Sequence, residues 1–247
     1  MSNELKLKPR LVPKPLWWLS LAGLARMDPY ILDLIGLQDY SVIEQWSRIW
    51  FEEIRKDMLS KHDVCEICKV NKPKIIDEDW EYTIKEDKGV ARLIGLRAIC
   101  DLCNLVVHFG YACTQGKEKI AFSWFKKINK VPSELAKETI KNAFRIWKIQ
   151  SEIKNWCFSL DYIRKLYPEI GEKLEVILNK LYELKMNNFD FDSSFLWCMH
   201  PVPPERKQII INLSKHPTEL AKDIINECKR YNVCLLYTSD AADDGES

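Results

Sequence analysis

No stretch of this sequence approaches the roughly 18–20 apolar residues that a helical membrane span requires. The nearest candidate, Leu16 to Leu24, is short, and Arg26 and Asp28 follow it closely. The first ten residues carry charges but lack the apolar run and small-residue cleavage site of a secretory leader. No internal repeat is present. A surplus of one charge is also missing, with 37 basic and 36 acidic residues giving a formal net charge of +1. With neither leader nor span, the expected compartment is a reducing cytoplasm, with no membrane partner. Paired cysteines there read as metal ligands before they read as disulfides.

The chain has 247 residues, of which 47% are hydrophobic and 30% charged, enough for one large or two small globular domains. Residues 233–247 stand apart. An apolar burst is followed there by Asp240, Asp243, Asp244 and Glu246, with no Lys or Arg. This end resembles translated sequencing-adapter read-through and is set aside from fold reasoning. Without it the chain holds 37 basic against 32 acidic residues, a formal charge of +5.

The rest divides by pattern. Residues 1–60 read as an extended N-terminal arm followed by an amphipathic helix. Pro9, Pro13 and Pro15 break the arm, whose Trp17 and Trp18 would pin it to a domain surface. Ile43, Trp46, Trp50, Ile54 and Met58 recur at helical spacing. Residues 61–112 hold a cysteine module with β-like runs at Lys74 to Tyr82 and Gly89 to Ile99, then a short helix after Cys103. Residues 113–185 form a basic helical region with helices over Lys117 to Lys130, Glu134 to Ile153 and Glu169 to Lys185. The second presents Leu135, Ile140, Phe144 and Trp147 on one face; the third presents Ile170, Leu174, Ile177, Leu181 and Leu184. Residues 186–232 read as a small strand–helix unit. The fold class expected is α+β, mainly α: a β-hairpin-plus-helix zinc module embedded between helices, with a small C-terminal αβ unit.

Cys65 and Cys68 form one C-x-x-C pair, and Cys100 and Cys103 a second, with 31 residues between the pairs. Zinc favours four tetrahedral ligands, and each C-x-x-C turn supplies two thiolates along one edge. A lone pair is a weak signal, whereas two within about forty residues point to one structural Zn2+ ion. Cys113, Cys157, Cys198 and Cys228 lack such spacing and read as small core residues. Cys198 and His200 form only an isolated C-x-H.

The residues between and after the knuckles are more specific. Asp77, Glu78, Asp79, Trp80, Glu81 and Tyr82 lie between them, followed by Gly89 to Leu93. The second knuckle continues through Asn104 and His108 to Gly110. This run resembles an HNH-endonuclease-like zinc family of bacteria and their phages. Its pattern is a knuckle, a strand reading His-Glu-x-Trp-x-Tyr, a hairpin, then Cys-x-x-Cys-His-x-x-x-His-x-Gly. Pro13 to Trp17, Lys127 to Val131 and a helix over Phe144 to Trp156 extend the resemblance across about residues 9–168. It implies a treble-clef fold and a metal-dependent phosphodiesterase. In such a site a strand histidine is general base toward water, and helix ligands hold one divalent ion against the phosphate. Ligands at i and i+4 share a helix face and can grip one ion.

In this sequence Asp77 stands where the strand histidine would be and Asn104 where the first helix histidine would be; Glu78 and His108 match. The resemblance thus marks Asp77, Glu78, Asn104 and His108 as the catalytic position or its remnant. Carboxylate, amide and imidazole can hold Mg2+ or Mn2+, but a carboxylate near pKa 4 is a poor base at neutral pH. The bland readings stay open. His108 would be an ordinary helix residue, the acids a solvated strand face, Trp80 and Tyr82 core, and Gly110 a helix C-cap.

From Lys117 to Lys148 the basic residues Lys117, Lys119, Lys126, Lys127, Lys130, Lys137, Lys141, Arg145 and Lys148 face only Glu118, Glu134 and Glu138. Trp124, Phe125, Phe144 and Trp147 interleave with them. Such a face suits DNA or RNA phosphates, with Lys126, Lys127, Lys130, Lys141 and Arg145 as candidate contacts. It also suits a plain solvated helix surface. The leading expectation is a zinc-stabilised HNH-like protein that binds nucleic acid or a protein partner with weakened or lost cleavage. An active metal-dependent endonuclease and a purely structural zinc interaction domain are the alternatives.

Overall fold

The computed structural model describes residues 5–186. The elements in chain order are α1 (Leu21–Leu24), α2 (Ser41–Arg48), α3 (Lys56–Lys61), β1 (Ile75–Lys85), β2 (Lys88–Ile99), α4 (Asp101–Val107) and α5 (Phe109–Thr114). They continue with α6 (Glu118–Asn129), α7 (Ser133–Glu152), β3 (Asn155–Ser159), α8 (Asp161–Leu166) and α9 (Pro168–Met186). A π-helical stretch, Ile49–Arg55, joins α2 to α3. The protein is a mainly helical α+β chain, with one mixed three-stranded sheet in the order β1-β2-β3. No helix among the described residues is long and apolar enough to cross a membrane. The expected strand–helix unit at 186–232, the isolated Cys198/His200 pair, Cys228 and the 233–247 end lie outside the described residues.

Two compact units divide these residues. One contains residues 5–17 and 54–157, the other residues 18–53 and 158–186.

The first unit is organised by the β1–β2 hairpin. The strands pair antiparallel from Ile75↔Ile99 to Lys85↔Lys88, with a bulge at Asp79/Trp80. A bulge gives one strand an extra residue and bends the ladder. The two-residue turn puts Glu86 in the left-handed region at φ 57°. Gly89, the second residue of β2, has no side chain because a Cβ there would lie 2.3 Å from the Trp156 indole. Trp156 belongs to β3, where Trp156 and Phe158 are buried while Asn155 and Cys157 face outward. That alternation ends the preceding helix at Glu152, short of the expected Trp156. It also leaves Cys157 exposed, against the expectation of a core residue; Cys113 is exposed at the end of α5 as well.

Beneath the hairpin, one apolar cluster joins the four paired cysteines to Ile75, Ile99, Val106, Val107, Phe125 and Ile140. The arm closes this core. Leu7 and Leu11 are buried in it, Arg10 N–H donates to Val107 O (2.8 Å), and Asn129 brackets Leu7 through its backbone N–H and C=O. Leu7 and Leu11 are the buried apolar anchors of the arm, and Trp17 is 39% exposed. On α7, Ala136 and Ile140 are buried, with Phe144 and Trp147 packed beside them. Leu135, expected on that stripe, is 48% exposed. A one-residue offset turns a helical side chain by about 100°, and Ala136 holds the inward position.

In the second unit Trp46 and Trp50 are fully buried, their rings tilted at 5.7 Å between centroids. Trp46 donates its indole N–H to Leu21 O at 2.9 Å, anchoring α2 to α1. The expected α9 stripe is inside at Ile170, Leu174, Ile177 and Leu181. Gly171 lets α8 and α9 approach, since a Cβ there would stand 2.7 Å from Arg164 N.

Candidate metal centre and adjoining ionic cluster

Each cysteine pair sits on a turn that its own backbone closes. In the first, Lys69 N–H donates to Cys65 O (2.9 Å) and Cys65 N–H to Asn71 O (2.7 Å). Lys69 takes the left-handed conformation, φ 55°, that folds the chain back. In the second, extended Cys100 caps α4, and Asn104 N–H donates to Cys100 O at 2.9 Å. That first helical turn brings Cys103 beside Cys100. All four residues are buried, and their Sγ atoms lie within 4.8 Å of one another.

A tetrahedral ion with Zn–S bonds near 2.3 Å has sulfur–sulfur edges of about 3.8 Å. The Cys68 and Cys100 sulfurs are 3.8 Å apart. A disulfide would require about 2.05 Å. Four buried soft donors within 4.8 Å of one another, one pair of them at the tetrahedral edge length, are consistent with a structural Zn2+ site. Hydrogen bonds from the Cys100 and Cys103 thiols hold Cys65 well below the usual thiol range, and bonds with Cys100 and Cys65 push Cys103 up. Two side-chain N–H groups also reach the sulfurs: Asn71 Nδ2 to Cys100 (3.6 Å) and Trp124 Nε1 to Cys103 (3.4 Å).

A second polar cluster lies on the hairpin. Asp77 is 3% exposed and faces Arg97 across the strands. Asp77 Oδ1 accepts from Arg10 at 2.6 Å, and Oδ2 accepts from Arg97 at 2.7 Å. His108 Nε2 stands 3.4 Å from Oδ1. Asp79 shares both guanidiniums, at 2.6 Å from Arg10 and 3.1 Å from Arg97. Burial by itself would raise the Asp77 pKa, but Arg10, His108 and Arg97 together hold it well below the usual carboxylate range. Glu78 is buried beside it and accepts the Trp80 indole N–H at 2.9 Å. Burial pushes the Tyr82 hydroxyl pKa up, against the opposing charge of Arg10.

Of the four positions marked by the resemblance, the structure brings Asp77 and His108 into contact. Asn104 is buried one helical turn before His108, and its C=O accepts the His108 N–H at 2.9 Å. Glu78 points to Trp80. His108 ends α4 and begins α5, so Gly110 lies inside α5 rather than capping a helix. Asp77 and Glu78 are not part of a solvated face, whereas Glu81 is exposed. Arg10, Arg97 and Asn71 carry no local signal of a site, and nothing in the sequence ties Trp124 to the metal centre. Their roles depend on hairpin register and on contacts between distant segments.

Lys126, Lys127 and Lys130 cluster at the end of α6. Lys126 donates to Ser133 Oγ at 2.6 Å, and Lys127 lies 5.0 Å over the Trp124 ring. Lys130 and Lys141 are exposed, and Arg145 reaches Glu138 at 3.2 Å. Comparison with protein-family models, with curated proteins and with solved structures returned no match.

Proposed function

We propose that residues 5–17 and 54–157 form a zinc-stabilised nucleic-acid-binding module on an HNH-like treble-clef scaffold that has lost cleavage chemistry. The order of knuckle, hairpin, second knuckle and helix supports the scaffold. The observation that carries the reading is the pair of arginines on Asp77. A general base at neutral pH works best with a pKa near 7. At the base position this chain has a buried carboxylate whose proton affinity is lowered, with both oxygens engaged by guanidinium groups. Such a carboxylate neither takes a proton from water nor presents a free oxygen to a divalent ion. In this reading the zinc ion, held by Cys65, Cys68, Cys100 and Cys103, cross-links the two knuckles. The basic residues of α6 and α7 supply a sequence-independent electrostatic attraction to phosphates.

The test pairs a plasmid-nicking assay in Mg2+, Mn2+ or Zn2+ with fluorescence anisotropy on labelled duplex DNA and single-stranded RNA across a salt series. The expected result is no nicking, with affinity that falls steeply as salt rises. Metal-dependent nicking abolished by His108→Ala would restore the endonuclease reading. Absent or salt-independent binding would leave a zinc domain that serves protein interaction.

A further inference from the structure

We infer that Trp124 and Asn71 are positioning residues of the metal centre, their side-chain N–H groups orienting the second-knuckle sulfurs toward a shared ion. The indole of Trp124 is a donor only. It is buried at 8% exposure in the apolar cluster around the cysteines, with Cys103 Sγ as its acceptor at 3.4 Å. A buried donor needs a good acceptor, and a thiolate is a far better one than a neutral thiol. The pocket is therefore shaped for sulfur in its metal-binding form.

Asn71 makes the corresponding contact on the other side. Its Nδ2 donates to Cys100 Sγ at 3.6 Å, while its backbone C=O accepts the Cys65 N–H at 2.7 Å. One residue thus ties the first turn to the second independently of the ion. Lys127 adds a third part, its ammonium 5.0 Å from the Trp124 ring centroid. A cation over an indole face draws electron density from the ring and makes its N–H a stronger donor to Cys103.

Four thiolates around Zn2+ leave a net double negative charge in a dry pocket. N–H donors to the sulfurs offset that charge, as the outer partners of a metal site commonly do. This role concerns the metal centre and does not depend on nucleic-acid binding.

The experiment measures zinc affinity by chelator competition and records the thiolate-to-metal charge-transfer band of the Co2+-substituted full chain. Trp124→Phe keeps most of the ring volume and removes the N–H. Asn71→Ala removes the other donor from a half-buried turn without touching the apolar cluster. Each change should weaken zinc binding roughly tenfold to hundredfold and move the cobalt band to lower energy, because a less hydrogen-bonded thiolate gives up charge more easily. Lys127→Met should move both quantities the same way by less. If Trp124→Phe fails to fold, Asn71→Ala decides alone. Wild-type zinc affinity with an unmoved cobalt band in the folded variants would overturn the assignment. A purely structural role for Trp124 would lower the melting temperature without shifting the band, which also counts against it.

Discussion

Replacing Arg10 with Met isolates the arm's ionic contact from its apolar ones. Methionine keeps a long apolar stem for packing but removes the guanidinium at 2.6 Å from Asp77 and from Asp79. Breaking a buried ion pair by deleting one partner costs about 3–5 kcal/mol. Asp77 is not fully stranded, because Arg97 at 2.7 Å and His108 at 3.4 Å stay with it. That lowers the cost to about 2–3 kcal/mol. Among the described residues the buried Arg10 Nε–H has no hydrogen-bond partner, so its removal returns about 1 kcal/mol. The net expectation is a loss of about 1–2 kcal/mol, or roughly 2–8 °C in melting temperature for a chain of this size.

Urea unfolding of the zinc-loaded protein at several pH values reads this directly. The sign follows from the lowered Asp77 pKa. Its stabilisation is fully present above the unfolded carboxylate pKa of about 3.9 and is lost as pH falls through the folded value. The deficit of Arg10→Met should therefore be the same at pH 6 and pH 8. Stability within about 0.5 kcal/mol of wild type would refute the buried pair, and a deficit that changed across that window would assign it to a group other than the carboxylate.

Exhaustive chelation, or Cys65→Ser, should unfold at least residues 61–112, because zinc binding of this type contributes on the order of 10 kcal/mol, comparable to a whole domain's stability. Unchanged far-ultraviolet dichroism and melting temperature after chelation would show that no structural ion is needed. Gly89→Ala should cost about 1–3 kcal/mol, since the new Cβ would stand 2.3 Å from the Trp156 indole, whereas Gly95→Ala meets nothing within 4 Å and should behave nearly as wild type. Reversing Lys127, Lys130 or Lys141 to Glu should weaken binding to DNA or RNA similarly across sequences and flatten its salt dependence. A sequence-selective loss would instead mean that the residue reads bases.

Where a signal repeats at short range, the sequence was readable. The two cysteine pairs, the α6, α7 and α9 helices and the β1–β2 hairpin all follow from spacings of two to four residues. Strand β3 is hard to read from sequence although Trp156 and Phe158 alternate with outward neighbours, because a five-residue run beside a long helix merges with the helical pattern. Leu135 and Gly110 differ from the sequence expectation by one helical position and one helix break, both of which depend on where the neighbouring elements pack.

By itself, then, the sequence determined that four cysteines would meet in pairs, since each C-x-x-C turn presents two thiolates without help from distant residues. The character of Asp77 was decided only by the tertiary structure. On paper it is one acid in an acidic run. In the fold, an arginine 67 residues away on the arm and another 20 residues away across the hairpin bring their charges to it. Proton affinity and burial are properties of the whole surroundings of a group, and no local pattern encodes them.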